Sequence, residues 1–193
     1  MLLNTVKLTG GLSFILCFSW VSAESGPGTL TPSSNVECAD PKLTTRYVTL
    51  FDASRTTHLV GRHWQVLNSD KSGEWTFQGD TFCAWASPQN STNAMYLFYN
   101  RPITDYQFLL SSSGSVPVSS GLENEGITSY VYANERPECG TVPLYALSAP
   151  SVGDHVYTIF EDEKDLLLAG GPGWVDEGII AHVLPLKHCA FTY

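Results

Sequence analysis

The chain has 193 residues, with 10 Lys+Arg against 19 Asp+Glu and a formal net charge of −9 at pH 7. That balance repels polyanions, so it argues against a nucleic-acid partner or an anionic membrane surface. With only 15% charged residues, solubility must lean on Ser, Thr, Asn and Gly, which suits an exported protein.

Residues 1–23 carry a single charge, Lys7, an apolar centre over Leu12–Val21 and the small-residue end Val21-Ser22-Ala23. This pattern predicts a signal peptide cleaved after Ala23. No other run approaches the ~20 apolar residues that a spanning helix needs. Residues 24–42 are rich in Pro, Gly and Ser and lack periodicity, which predicts an exposed lead-in tethered only at Cys38. Residues 43–193 are long enough for one domain with a sizeable core.

Within that domain, Arg46–Phe51 alternates as a strand, with Tyr47, Thr49 and Phe51 on one face. His58–Leu67 predicts a strand and then a turn of helix, with Gly61 arguing against a long one. Glu74–Ala86 is aromatic and β-prone around Gly79-Asp80, a hairpin signal. Asn90-Ser91-Thr92 is an N-glycosylation acceptor in a polar segment near Pro88, read as a surface loop. Met95–Asn100 and Gln107–Leu110 predict strands flanking a turn at Arg101–Asp105. Ser111–Gly121 reads as a loop, Gly126–Ala133 as a strand, and Pro143–Leu147 as another. Phe160–Ala169 predicts the one convincing helix. Thr158 with Glu161 suggests a capping box, Glu161-Asp162-Glu163 suits the positive end of the dipole, and Gly170-Gly171-Pro172 stops it. Leu166, Leu167 and Leu168 would make it a cover on the core.

The landmarks recur. Tyr47-Val48-Thr49-Leu50-Phe51, Tyr96-Leu97-Phe98-Tyr99-Asn100 and the strand at Tyr145 are followed at near-equal spacing by His58, Tyr106 and His155. Gln78-Gly79, Glu125-Gly126 and Glu177-Gly178 then complete each set. A repeat of this length predicts three β-rich units, at about 46–94, 95–140 and 141–193. The expected fold is mainly β, three pseudo-repeats closing into a β-trefoil-like or similar barrel, with one short helix in the third repeat. A two-sheet sandwich is the alternative.

The best-preserved unit reads PLYALSAP, GDHVYT and then WVDEGI. It resembles a secreted fungal and bacterial repeat domain of unknown function, whose repeats run approximately PLYRLYNPxxGDHFYTxxxxERDxxxxxGYxxEGIxxYVY. The resemblance covers about Tyr47 to Val183, is strong in the last unit, moderate in the middle one (YLFYN, ENEGITSYVY) and weak in the first. Such domains occur alone or appended to secreted hydrolases, which implies an extracellular accessory or binding role. Three departures stand out: no Asp precedes His58, Tyr106 replaces a His, and Gln78 replaces the Glu.

Cys17 leaves with the signal, so Cys38, Cys83, Cys139 and Cys189 remain, and in an oxidising compartment they allow three pairings. Closure of the units into a ring would bring the ends together and favour Cys38–Cys189 with Cys83–Cys139. No Cys/His spacing supports a metal site, and no cofactor is expected.

Gly-x-Ser-x-Gly, His-Glu-x-x-His and phosphate-cradling motifs are absent from the sequence. The acidic pairs Glu123/Glu125, Asp162/Glu163 and Asp176/Glu177 could serve a glycosidase, but two of them recur at one repeat landmark, which suits a structural device. Asp-His and Glu-Gly landmarks read first as turn and hydrogen-bonding devices. Read instead as a site, they offer Asp and His hydrogen bonds beside an aromatic face, a mixed surface suited to sugars. The third-unit pocket would then be Asp154, His155, Tyr157, Trp174 and Glu177, and the second Asp105, Tyr106 and Glu125. The first, His58 with Trp75, would be degenerate, with Trp64 and Trp85 in the core. The expected function is a secreted, monomeric, non-catalytic, lectin-like module binding glycan. A secreted protein-interaction factor with an extracellular protein partner is the alternative, and a polysaccharide or ester hydrolase is third.

Overall fold

The computed structural model describes residues 37–67, 74–170 and 173–189. The signal-peptide expectation for residues 1–23 lies outside them, as does the lead-in up to residue 36. What the structure describes of the lead-in is not free. Ala39 is buried and its N–H donates to the Tyr132 hydroxyl at 2.7 Å, and the Trp85 indole N–H donates to the Asp40 carbonyl at 2.7 Å. The expectation of a segment tethered only by Cys38 is thus corrected: a buried indole and phenol each needed a partner, and this backbone supplies both.

The domain is mainly β and consists of two antiparallel sheets. Three meanders follow one plan. The first has β1 (Thr44–Asp52), β2 (Thr57–Arg62) and β3 (Trp75–Trp85). The second has β4 (Asn93–Asn100), β5 (Asp105–Leu110) and β6 (Glu123–Val131), and the third β7 (Val142–Ala149), β8 (Asp154–Thr158) and β9 (Val175–Val183). In each, the first strand pairs with the second on one side and with the third on the other. The first two meanders join through Trp85 and Tyr130 into a six-stranded sheet, and the third is a sheet of its own.

Register makes the three meanders comparable residue by residue. Each first strand has two shifts against its third strand: at Tyr47/Val48 and Thr49/Leu50, Met95/Tyr96 and Leu97/Phe98, and Leu144/Tyr145 and Ala146/Leu147. Val48, Tyr96 and Tyr145 are therefore equivalent, each ten residues before His58, Tyr106 or His155, where the sequence had suggested Tyr47. Gly79, Gly126 and Gly178 sit opposite Thr49, Leu97 and Ala146 at the second bulge, all with positive φ. A side chain there would be strained, which is why the landmark is glycine. Just before it, Asn124 and Asp176 each accept the Gly126 or Gly178 N–H at 2.8 Å. Asp176 thus belongs to the bulge.

Four expectations change. Within Glu74–Ala86 runs one continuous strand, Trp75–Trp85, because Gly79 and Asp80 pair with Thr49 and Val48 between two bulges in place of a hairpin turn. β1 does not bury one face alone: Tyr47 lies in the core, yet Val48, Leu50 and Asp52 are buried as well. No closed barrel of hydrogen-bonded strands forms among the described residues. Instead the third strands, or the residues just after them, are linked by single bridges, Trp85 with Tyr130, Tyr132 with His182, and Cys83 with Leu184. The helix α2 (Glu161–Gly170) buries none of its residues, and Leu166 is 73% exposed, so it does not cover the core. Its entry also differs from a Thr158/Glu161 box: the Thr158 hydroxyl accepts the Phe160 N–H at 3.0 Å and donates to Glu163 at 2.5 Å.

The disulfides are Cys38–Cys139 and Cys83–Cys189, not the expected pairing. After β9, Leu184 bridges Cys83 on β3, which carries Cys189 to the first meander. Cys38 lies beside the second, where Ala39 binds Tyr132. The ends of the domain do come together: the Thr44 hydroxyl, which donates to the Pro41 carbonyl at 2.7 Å, lies 3.3 Å from the His188 carbonyl oxygen. Two clusters form the core. One is central, with Tyr47, Phe82, Met95, Phe108, Leu144 and Tyr157 among its members; the other, at the disulfide end, holds Ala39, Cys83, Trp85, Tyr132, Leu184 and Cys189.

Candidate functional site

The landmark begins β8 as Asp154-His155 and β5 as Asp105-Tyr106, and the equivalent residues of β2 are Thr57 and His58. Its side chains reach across units. Asp105 of β5 accepts His155 Nδ1 at 2.7 Å and Gln107 Nε2 at 2.8 Å. Asp154 of β8 accepts both His58 Nδ1 at 2.7 Å and the His58 backbone N–H at 2.8 Å. Asp105 is 0% exposed and Asp154 2%. At the third junction Thr57 stands where the others have Asp, and Tyr106 where they have His; Tyr106 stacks on Tyr99 and meets Trp75 at 6.3 Å between centroids. Burial, with Tyr99 and Glu125 adding to it, pushes the Tyr106 phenol up to about 12.

Tyr157 is likewise internal. Its hydroxyl accepts the Phe108 N–H at 2.9 Å and its ring packs on Phe108 at 4.5 Å, and burial holds the phenol far above its ordinary value. Four of the eight sequence candidates, Asp105, His155, Tyr157 and Glu177, come together at the β5–β8 junction, with His155 Nε2 3.4 Å from Glu177, while Asp154 turns to His58 at the β2–β8 junction. Tyr106 and Glu125 belong to the β2–β5 side. Trp174 is partly buried in the segment entering β9. Of the eight, only Glu125 and Glu177 present exposed side chains. Asn90 is exposed in a turn, as the acceptor reading expects.

Burial works against a charged His155, but the Asp105 hydrogen bond and the charges of Asp105, Glu177 and Asp154 outweigh it and hold the imidazole above its ordinary value. A group with a raised folded pKa contributes stability below its unfolded value, near 6.5, and loses it as pH rises through the folded value. His182, pushed down by burial, works in the opposite sense. The clean measurement is therefore a comparison. His155→Gln should flatten the loss of Tm as pH rises from about 6.5, and an NMR titration placing His155 below free histidine would contradict the Asp105–His155 pairing.

The open cavity lies elsewhere. A cleft of about 310 Å³ is lined by Leu59, Val60 and Gly61 of β2, by the helix α1 (His63–Leu67), and by the β4–β6 bulge with Leu97, Glu125, Ile127 and Thr128. Gly61 permits the turn into α1, since a Cβ there would meet Val66 Cγ1 at 2.5 Å. Trp64 stands on this cleft and is 57% exposed. The Arg62 guanidinium sits 5.1 Å from its ring centroid, while Arg62 Nε donates to Gln65 Oε1 at 2.7 Å. Trp64 was expected in the core, as Trp85 is. The missed signal is its neighbour Arg62, on the strand that delivers it: an arginine beside an indole favours a cation–π arrangement at the surface.

Among the described residues, no group of His, Cys, Asp and Glu is arranged to hold a metal ion, and no helix is long and apolar enough to cross a membrane. A family model described as Domain of unknown function (DUF5648) matches residues 47–184. No curated protein and no solved structure matches the chain.

Proposed function

The chain belongs to the DUF5648 family, and from that premise we propose that it is an exported, non-catalytic, lectin-like module that binds neutral carbohydrate in the Trp64 cleft. The observation that carries this reading is the half-open indole on a cleft of about 310 Å³ that also presents Gln65, Glu125 and Thr128. A sugar ring offers apolar C–H faces to an indole and hydroxyls to amide, carboxylate and hydroxyl partners. Glu125 in the lining and the net charge of −9 disfavour anionic glycans. The Asp–His pairs support a non-catalytic role, because their Nδ1–carboxylate bonds are spent joining one unit to the next. Two disulfides support export. The like register of the three meanders supports a pseudo-threefold domain of repeated units.

Trp64→Ala is expected to weaken binding of neutral oligosaccharides by about 2 kcal/mol or more, roughly 30-fold, as for a central aromatic anchor. Its exposure means the fold should survive. Glycan-array profiling followed by calorimetry checks this, and either no binding by the wild type or equal binding by the variant defeats the reading.

One observation favours a second reading, recognition of an extracellular protein. In the loop 111–121, Val118 is 101% exposed and Val116 is also exposed. Capture of one stable partner that soluble sugars do not compete away, lost on Val118→Ser, would select it.

A further inference from the structure

We infer that the junction of the third and first meanders carries a second saccharide site, the positional counterpart of the Trp64 cleft, which makes the molecule bivalent. The inference rests on the saccharide reading of the Trp64 cleft.

The two clefts are built from the same positions of successive units. In the first, Leu59, Val60 and Gly61, which follow His58, face Leu97 and the bulge at Glu125–Thr128. In the second, Val156, Tyr157 and Thr158, which follow His155, face Thr49 and the bulge at Gln78–Thr81. Thr49 opposite Gly79 matches Leu97 opposite Gly126 in the strand register.

The second cleft carries its own chemistry. Gln78 stands where the first cleft has Glu125 and gives both a donor and an acceptor, while Glu163, which also lines the second cleft, accepts from the Thr158 hydroxyl. Thr49 and Thr81 share a hydroxyl hydrogen bond of 2.6 Å, and Asp80 is held by Arg46 at 2.6 Å. These groups are thus fixed before any ligand arrives, which lowers the cost of binding. Phe160, half exposed on the rim, supplies the aromatic face. The cleft measures about 90 Å³, space for about three waters. It suits the edge of one terminal neutral sugar, where the first cleft takes a longer stretch of chain.

The test uses the intact protein with cellotetraose, chitotetraose and mannotetraose as probes, read by calorimetry and by amide NMR. Two sites are expected in the wild type. Trp64→Ala should keep one, with shifts confined to Gly79, Thr81 and their neighbours. Gln78→Ala combined with Phe160→Ala should keep the other, with shifts around Gly126. All three substituted side chains are at least half exposed or at the surface, and an unchanged amide spectrum elsewhere verifies the fold. A single site abolished by Trp64→Ala overturns the second site and leaves the first reading standing. Binding of none of the probes overturns both.

Discussion

Asp105→Ala should cost about 3–5 kcal/mol of stability, the range for removing one partner of a buried ion pair, and lower Tm by roughly 10 °C for a domain of this size. The carboxylate is fully buried and serves two donors, His155 and Gln107. Without it, a largely buried imidazole must either keep its proton with only Glu177 at 3.4 Å and Asp154 nearby, or give the proton up. Both routes cost free energy, and Gln107 loses its acceptor besides. Asp105→Asn keeps the volume and one acceptor, so it should cost less, with the larger part of its effect below pH ~6.5, where imidazole is charged. Urea denaturation of the two variants measures this, and an Asp105→Ala loss under about 1 kcal/mol, the usual ceiling of a surface pair, would refute a stabilising Asp105–His155 pair.

Replacing Cys83 and Cys189 together by Ala should cost about 4–5 kcal/mol on the chain-entropy model, since the closed loop is on the order of 100 residues. The sequence separations are 106 for this bridge and 101 for Cys38–Cys139. Geometry adds to entropy. Both bridges lie at the smaller core cluster, where Trp85 and Tyr132 pack edge to face and take their hydrogen bonds from residues 39 and 40. Loss of Cys38–Cys139 would release that segment and leave a buried indole N–H and phenol without partners. Thermal scans of each double variant, with and without reductant, check the expectation. A Tm within about 2 °C of the wild type, less than one kcal/mol at this size, would show that the bridges only decorate the cluster.

Much of the fold could be read in the chain because it depends on local chemistry. The spacing from the first strand to His58, Tyr106 and His155, and the glycines at the bulges, follow from rules of backbone conformation that act within a few residues. What escaped depends on distance. Whether Gly79-Asp80 turns or bulges is decided by Thr49 on another strand, and Cys83 chooses Cys189 because Leu184 bridges it. Asp154 and His155 are neighbours in sequence that look like one site, yet each serves a partner in a different unit. Leu166–Leu168 promised a buried helix face, yet Leu166 and Leu168 are exposed and Leu167 is only partly buried. Trp64 escaped because an indole is normally taken for core, whereas the arginine on β2 and the short helix hold this one open at the surface.

The imidazole–carboxylate contacts have a direction. His58 of the first unit binds the third, and His155 of the third binds the second, so units meet through unlike faces, as protomers of a cyclic trimer do. Such heterologous contacts either close on themselves or propagate into an open filament. Here the covalent chain holds three units together, and single bridges link each third strand, or the residue just after it, to the next. Two of the junctions carry an imidazole–carboxylate bond, and at the other Thr57 and Tyr106 stand in place of the acid and the imidazole.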